Sequence, residues 1–319
     1  MTERKEGPPP AGRRSIIGQA EGPPPAGRRS IIGQAEGPPP AGRRSRHFRR
    51  IIPGFRLTLG LTVLYLTLIV LIPILALVLK AASLTPEQYW AIVSSARAVA
   101  TYKVTVGSAL LAAIMNAVIG LLLAWVLVRY DFPCRRLLDA LVDLPFALPT
   151  AVAGIALTAL LAPNGWIGQL FTPLGIQIAY AQPGIVIAMA FTSLPFVVRT
   201  VQPVLEDLGP DPEEAGIMLG ADEWQVFRRI VFPSIFPAFL AGCTLAFARS
   251  LGEYGAVIFI AGNLPLQTEI TALLTVIRLE EFSYPAAAAL ASVILAASFV
   301  MLLVINAIQL WHLRYVRLS

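Results

Sequence analysis

The sequence predicts an all-α membrane protein with six transmembrane helices and both termini on the cytoplasmic side. Composition is the first reason: 56% of the 319 residues are hydrophobic, 14% are charged and the mean hydropathy is +0.70. Soluble domains carry about 25% charged residues, so the bilayer is the expected solvent for most of this chain. The second reason is that the apolar residues divide into six stretches of roughly spanning length. The third is the placement of Lys and Arg. They gather in the N-terminal tail, at 129–136, around 199–229 and in the C-terminal tail, whereas the opposite loops hold Lys80, Arg97, Lys103 and Arg278. Because basic residues concentrate in cytoplasmic loops, this asymmetry orients the chain.

Residues 1–50 form a basic tail distinct from the transmembrane domain of residues 51–319. The segment EGPPPAGRRSIIGQA occupies 6–20, recurs at 21–35 and breaks off after Ser45 on its third pass. A Pro- and Gly-rich period of this kind has no apolar face to bury and reads as disordered. It is either a tandem duplication without a role or a polybasic tether to anionic lipid. No short apolar core ends in a small-residue cleavage site, so a signal peptide is not expected. Residues 1–56 hold 12 Lys and Arg against 4 Asp and Glu, so the basic isoelectric point belongs to the tail and is no argument for nucleic acid.

The first expected span is Leu57–Leu79, closed by Lys80, and residues 81–100 read as an interfacial loop. The second, Val104–Val128, carries Asn116 among small residues that let helices approach closely in lipid. Leu144 to Val198 holds no charge and is too long for one crossing. Turn residues at Pro163-Asn164-Gly165, Pro173 and Pro183-Gly184 divide it into a third span, Leu144–Leu161, and a fourth, Gly184–Val201. The fifth is Ser234–Ile258 and the sixth is Tyr284–Trp311. Between them, residues 262–282 place Leu266, Ile270, Leu273, Leu274 and Ile277 at helical spacing.

One compact charged segment, DPEEAGIMLGADEWQVFRRIVFP at 211–233, interrupts the apolar chain and reads as two short helices. Asp211 suits the N-cap, Pro212 the first helical position, and Glu214 can complete a capping box. Gly220 is the expected left-handed C-terminal residue, Asp222 and Gln225 repeat the cap spacing, and Pro233 closes the second helix.

Chemistry-bearing motifs are sparse. The sequence has no HExxH, no Walker lysine loop, no nucleophile elbow and no cysteine–histidine cluster, which argues against an enzyme. Cys134 and Cys243 suit neither a disulfide framework nor a metal site. A proton-coupled carrier would hold several intramembrane carboxylates or histidines. Only Arg249 and Glu253 lie deep in an expected span, four apart on one face. They form either a self-neutralising structural pair or a polar lining in which Arg249 attracts an anion. Asn116 and Ser193 suit a pore lining and interhelical hydrogen bonding equally, and Arg199 reads as an interface anchor. Pro145, Pro149, Pro195 and Pro237 are expected to bend spans.

The 211–233 segment resembles the cytoplasmic signature of permease subunits of ATP-binding-cassette importers. That signature is Glu-Ala-Ala, three residues, Gly, nine residues, Ile, one residue, Leu-Pro. Glu214, Ala215, Gly220, Ile230 and Pro233 stand at those spacings, with Gly216 in place of the second Ala and Phe232 in place of Leu. From about Ile52 to Trp311 the chain is similar to the sulfate/thiosulfate permease subunits, the CysT/CysU family. The likeness is carried by LLDALVDLPFALPTAVAGIAL (137–157), AMAFTSLPFVVRTVQPVLEDLGP (188–210), FARSLGEYGAVIFIAGN (247–263) and TEITALLTVIRLEEFSYPAAAALASVILAAS (268–298).

The resemblance implies a type I importer permease fold with its core at about residues 100–308, in the bacterial inner membrane. It implies a second homologous permease, two copies of a cytoplasmic ATPase subunit holding ATP and magnesium, and a periplasmic sulfate-binding protein. No cofactor is expected on this chain. Asp211, Glu214, Ala215, Gly220, Ile230 and Pro233 would form the ATPase-coupling segment, and Arg249, Glu253, Ser193 and Asn116 are candidates for the translocation path. The alternatives are a molybdate or tungstate permease, whose span five shares the LGE-aromatic-G run, and a self-contained anion channel or carrier.

Overall fold

The computed structural model describes residues 55–316, and the 15-residue repeats of the tail lie outside the described residues. The structure is mostly helical. Five helices are long and apolar enough to cross a membrane: α1 (Leu57–Ala81), α3 (Ala96–Arg129), α8 (Gln182–Leu208), α10 (Glu223–Leu251) and the Tyr284–Val304 portion of α13 (Tyr284–Val316). Shorter helices lie between them: α2 (Pro86–Val93), α4 (Arg135–Val142), α5 (Leu144–Ala147), α6 (Thr150–Leu161), α7 (Gly168–Phe171), α9 (Asp211–Met218), α11 (Val257–Ile260) and α12 (Thr271–Glu280).

The expected third span is not one helix. Leu148 is extended, as the residue before a proline prefers, and it separates α5 from α6. Helix α6 has 12 residues and is therefore about 18 Å long, short of a hydrocarbon core of about 30 Å. The expected interfacial loop at 81–100 is also corrected. It contains α2, started by a capping box between Thr85 and Gln88, and the first residues of α3, where Ser95 Oγ accepts from the Ala98 N–H at 3.3 Å. The amphipathic stretch 262–282 is helical only from Thr271. Gly262, Asn263 and Leu266 have positive φ, and Leu266 falls outside the helix and is exposed.

Proline does not stop the long helices. In α10, a π turn over Phe227–Val231 leads straight into Phe232–Leu251, so Pro233 lies inside one continuous helix and does not close the segment as expected. In α1, a π turn over Thr67–Leu71 precedes Pro73 in the same register. Proline lacks an N–H and crowds the carbonyl one turn back. One wider turn just ahead of it shifts the ladder and lets the helix continue. The helix that carries the expected fifth span therefore starts at Glu223, ahead of Ser234, and ends at Leu251, short of Ile258.

Helices α3, α8 and α10 pack on one another and form the core, with α11 against α6 and α8. Helix α1 and the pair α2 and α12 pack along α13. Val197 of α8 lies between two glycines: a Cβ at Gly120 would stand 2.8 Å from Val197 Cβ, and one at Gly242 would stand 2.9 Å from Val197 Cα. Such close crossings are how helices associate in lipid, where no hydrophobic difference separates side chain from solvent.

At Gly242 an added Cβ would also come within 2.1 Å of Thr200 Oγ1, which is tied to the carbonyls of Phe196 and Val197 at 2.8 and 3.0 Å. Gly242→Ala is therefore expected to cost about 1–3 kcal/mol and to lower the Tm of the detergent-purified complex by roughly 2–10 °C. Gly107→Ala, where an added Cβ meets nothing within 4 Å, leaves the Tm unchanged or slightly higher in the same thermal scan.

Candidate functional site

The charged segment after α8 is built from local rules acting at each end of two helices. Asp211 is the first residue of α9 and not its cap; that place belongs to Pro210, with no side-chain cap bond. The expected capping box is absent, because the Glu214 N–H donates to the Pro210 carbonyl at 3.0 Å. Asp211, Glu213 and Glu214 instead set three acids in the first turn, where the helix dipole favours them. The C-terminus follows the expectation closely. Gly220 has φ +87°, its N–H donates to Ile217 O at 2.9 Å, and the Ala221 N–H donates to Gly216 O at 3.1 Å. This pair of bonds is a Schellman ending, which needs a residue at ease with positive φ. Asp222 then caps α10, its Oδ1 accepting from the Gln225 N–H at 2.8 Å.

Gly216 is buried, and a Cβ there would stand 2.7 Å from Ile230 Cδ1. The small residue at this position therefore matches the Ile230 side chain facing it across the turn. Glu214, Ala215 and Pro233 are exposed. So are Ile217, Met218, Leu219 and Trp224, with Met218 and Leu219 at 88% and 89%.

The anchor of α9 is Glu213, not Glu214. Arg129, at the end of α3, donates from Nη2 to Glu213 Oε1 and to the Gly209 carbonyl, the latter at 3.0 Å. The Arg129 guanidinium lies 5.8 Å from the Trp125 ring, and Trp125 meets Phe227 edge-on at 5.5 Å. Phe227 stacks on Trp224 and approaches Phe232 at 5.9 Å. Because the π turn sets residues five apart on one face, these rings run from the exposed segment into the span.

Arg199 does more than mark an interface. Its guanidinium makes a fork with Asp143 at 2.8 and 2.6 Å and also reaches Asp139 Oδ1 at 2.7 Å, the Asp139 carbonyl and Gln202. Helix α4 is thereby pinned to α8. A signal for this was present, since Asp139 and Asp143 stand four apart. At the opposite end of α3, Arg97 makes a bidentate pair with buried Glu269 at 2.8 and 2.6 Å. Beside it, the Thr271 N–H donates to Thr105 Oγ1 at 2.9 Å.

The four residues named for a path form two adjacent groups. Asn116 Nδ2 donates to Ser193 Oγ at 2.8 Å and to the Ala190 carbonyl at 3.0 Å, and Ser250 Oγ reaches Ser193 Oγ at 3.1 Å. All three side chains are buried and join α3, α8 and α10. The second group follows Ser250 at the end of α10. Arg249 Nη1 donates to Glu253 Oε2 at 2.6 Å, although Glu253 lies beyond the helix end at Leu251. Glu253 Oε1 also accepts from the Ala256 N–H at 2.9 Å, so its carboxylate bridges the break before α11.

A helical bundle of several apolar helices of spanning length, with one short helix pair at its exposed end, defines a polytopic membrane protein. The family model described as "Binding-protein-dependent transport system inner membrane component" matches residues 116–317. The sulfate transport system permease protein CysT of Escherichia coli (strain K12) is 56% identical over 261 residues, covering 82% of this chain and 94% of the relative. CysT of Synechocystis sp. (strain ATCC 27184 / PCC 6803 / Kazusa) is 49% identical over 254 residues, covering 80% and 89%. The chain belongs to this family of inner-membrane transport components, in its CysT permease branch. In fold, it is similar to a crystal structure of a bacterial ABC transporter involved in import of the acidic polysaccharide alginate. That match has TM-score 0.66 at 16% identity, over 80% of this chain and 95% of the other. A structure of the MetNI methionine ABC transporter matches with TM-score 0.53 at 14% identity, over 72% and 99%.

Charge-assisted hydrogen bonds to a partly buried guanidinium contribute about 1.5–3 kcal/mol each. Arg129→Ala is therefore expected to speed amide hydrogen exchange in α9 by at least about tenfold, read as a segment by mass spectrometry. Unchanged exchange in α9 removes this anchor from the account.

Proposed function

We propose that this chain is the pore-forming permease subunit of an ATP-driven importer that carries sulfate and thiosulfate across the inner membrane. It crosses the bilayer six times in the type I importer arrangement, with α6 and its flanking breaks as the third crossing and both termini cytoplasmic. A second homologous permease completes the pore. Two copies of a cytoplasmic ATPase subunit hold ATP and magnesium, and a periplasmic binding protein delivers the oxyanion. The high identity to sulfate permeases over nearly their whole length supports the substrate.

The observation that carries the mechanism is the continuity of α10. A helix of 29 residues is about 43 Å long, and this one starts in the exposed segment and ends beside Ser250, Arg249 and Glu253. The Schellman turn at Gly220 and the Asp222 cap fix the angle between α9 and α10. Exposed Met218, Leu219 and Trp224 offer an apolar contact to the ATPase, with Asp211, Glu214 and Ala215 along the rim. Ile230 backs this contact by packing under Gly216. A shift of the ATPase thus tilts α9 and α10 together and moves the far end of α10. Asn116 and Ser193 are the pivot of that motion, since they tie α10 to its two neighbours through Ser250.

Co-expression with the ATPase, second permease and binding protein, then labelled sulfate uptake in proteoliposomes, tests the reading. Uptake is expected to require ATP and to be competed by thiosulfate. Uptake without nucleotide points to a channel or carrier, and competition by molybdate but not thiosulfate to the other oxyanion. Gly220→Ala places a Cβ at φ +87° and strains the turn. It is expected to leave the subunit in the membrane while uptake falls at least about fivefold with ATP hydrolysis retained. Normal uptake by this variant would sink the lever.

A further inference from the structure

Arg249 stands at a depth where a guanidinium is costly. Its neighbour Ser250 is joined through Ser193 to Asn116, which is 13 residues from Arg129 and 19 from Arg97 along α3. At 1.5 Å per residue these separations are about 20 and 29 Å, so Asn116 and the end of α10 lie well inside a hydrocarbon core of about 30 Å. The surrounding stretches are charge-free: residues 104–128, 183–198 and 284–311 contain no Asp, Glu, Lys or Arg.

The partner Glu253 is almost fully buried, at 1%, while the Arg249 side chain is 35% exposed. One carboxylate oxygen of Glu253 holds Arg249 and the other is occupied by the Ala256 N–H. The buried acid therefore fixes the arginine and leaves part of the guanidinium outward. Exposure of that edge to lipid would cost several kcal/mol, so it turns toward a polar surface, the passage shared with the second permease or that permease itself.

We infer that Arg249 contacts the oxyanion inside the membrane, with its free N–H edge hydrogen-bonding a tetrahedral divalent anion and Glu253 acting as the positioning residue. The inference rests on the importer reading above. A guanidinium suits this task because it keeps its charge at any working pH and presents donors in a planar fork. The single negative charge of Glu253 is already matched by Arg249, so a passing dianion meets a locally neutral pair carrying free donors. Such a site binds enough to desolvate the anion and releases it readily, which conduction requires. Because α10 ends here, the tilt of its exposed start changes how far this edge projects.

The test uses the complete reconstituted complex and measures labelled sulfate uptake and binding-protein-stimulated ATP hydrolysis together. The double variant Arg249→Gln/Glu253→Gln removes both charges and leaves no unpaired buried carboxylate. It is expected to keep stimulated hydrolysis within about twofold and to lower sulfate moved per ATP at least tenfold. Arg249→Lys, which keeps the cation but loses the planar fork, is expected to recover that ratio only in part, to a value between the double variant and wild type. A double variant that transports like wild type overturns the inference, because the pair is then only structural. Loss of hydrolysis and uptake together in the double variant overturns it too, since the pair then serves only to hold the end of α10. A wild-type complex that hydrolyses ATP but moves no sulfate overturns the substrate reading, and the anion contact with it.

Discussion

The crossing of α3, α8 and α10 is the constraint on which the rest of the molecule depends. In lipid, apolar side chains gain nothing by leaving the solvent, so association relies on backbone proximity and on polar groups that find each other. Here Val197 sits between Gly120 and Gly242, and the Asn116–Ser193–Ser250 bonds cross the same junction. Each such hydrogen bond is worth about 0.6 kcal/mol on average in a membrane, so their value is register as much as strength. They set which residues of the three helices share a level. That register places the end of α10, and with it Arg249, in the interior.

From this junction the structure extends in two directions. Toward the exposed helix pair, α3 ends at Arg129, which holds Glu213 and Gly209, while Trp125 carries the aromatic series of α10. Helix α4 is fastened nearby through Arg199 and its two aspartates. Toward the other end, Arg97 and Glu269 join the start of α3 to the segment preceding α12, and the threonines behind them continue the contact. The intervening α3, α8 and α10 stretches are nearly free of charge. Most ion pairs therefore fasten the ends of the bundle, and small residues with neutral hydrogen bonds fasten its middle, where Arg249–Glu253 is the exception.

The prolines show how a membrane helix differs from a soluble one. Pro73 and Pro233 each follow a π turn directly, and both helices run on. In water the chain could end at either proline and solvate its free carbonyls. In lipid that option is lost, and a wider turn supplies the bonds internally. Helix α10 is consequently one continuous helix and not a short helix followed by a separate span, so the exposed segment and the bundle interior share one element.

Much of this was legible in the residues alone. Composition and charge placement determined the class, the apolar runs located α1, α3, α8 and α13, and the glycine after IML determined the left-handed turn at 220. These features depend on solvent or on neighbours within one helical turn, so a linear reading reaches them. Tertiary structure decided the rest. Arg129 chose Glu213 over Glu214 from 84 residues away, and Arg199 found Asp143 across 56. The buried position of Asn116 and Ser193 was decided in the same way. Each depends on which surfaces the three-helix crossing brings together; local spacing can offer a candidate pair such as Asp139 and Asp143, but it does not name the distant partner.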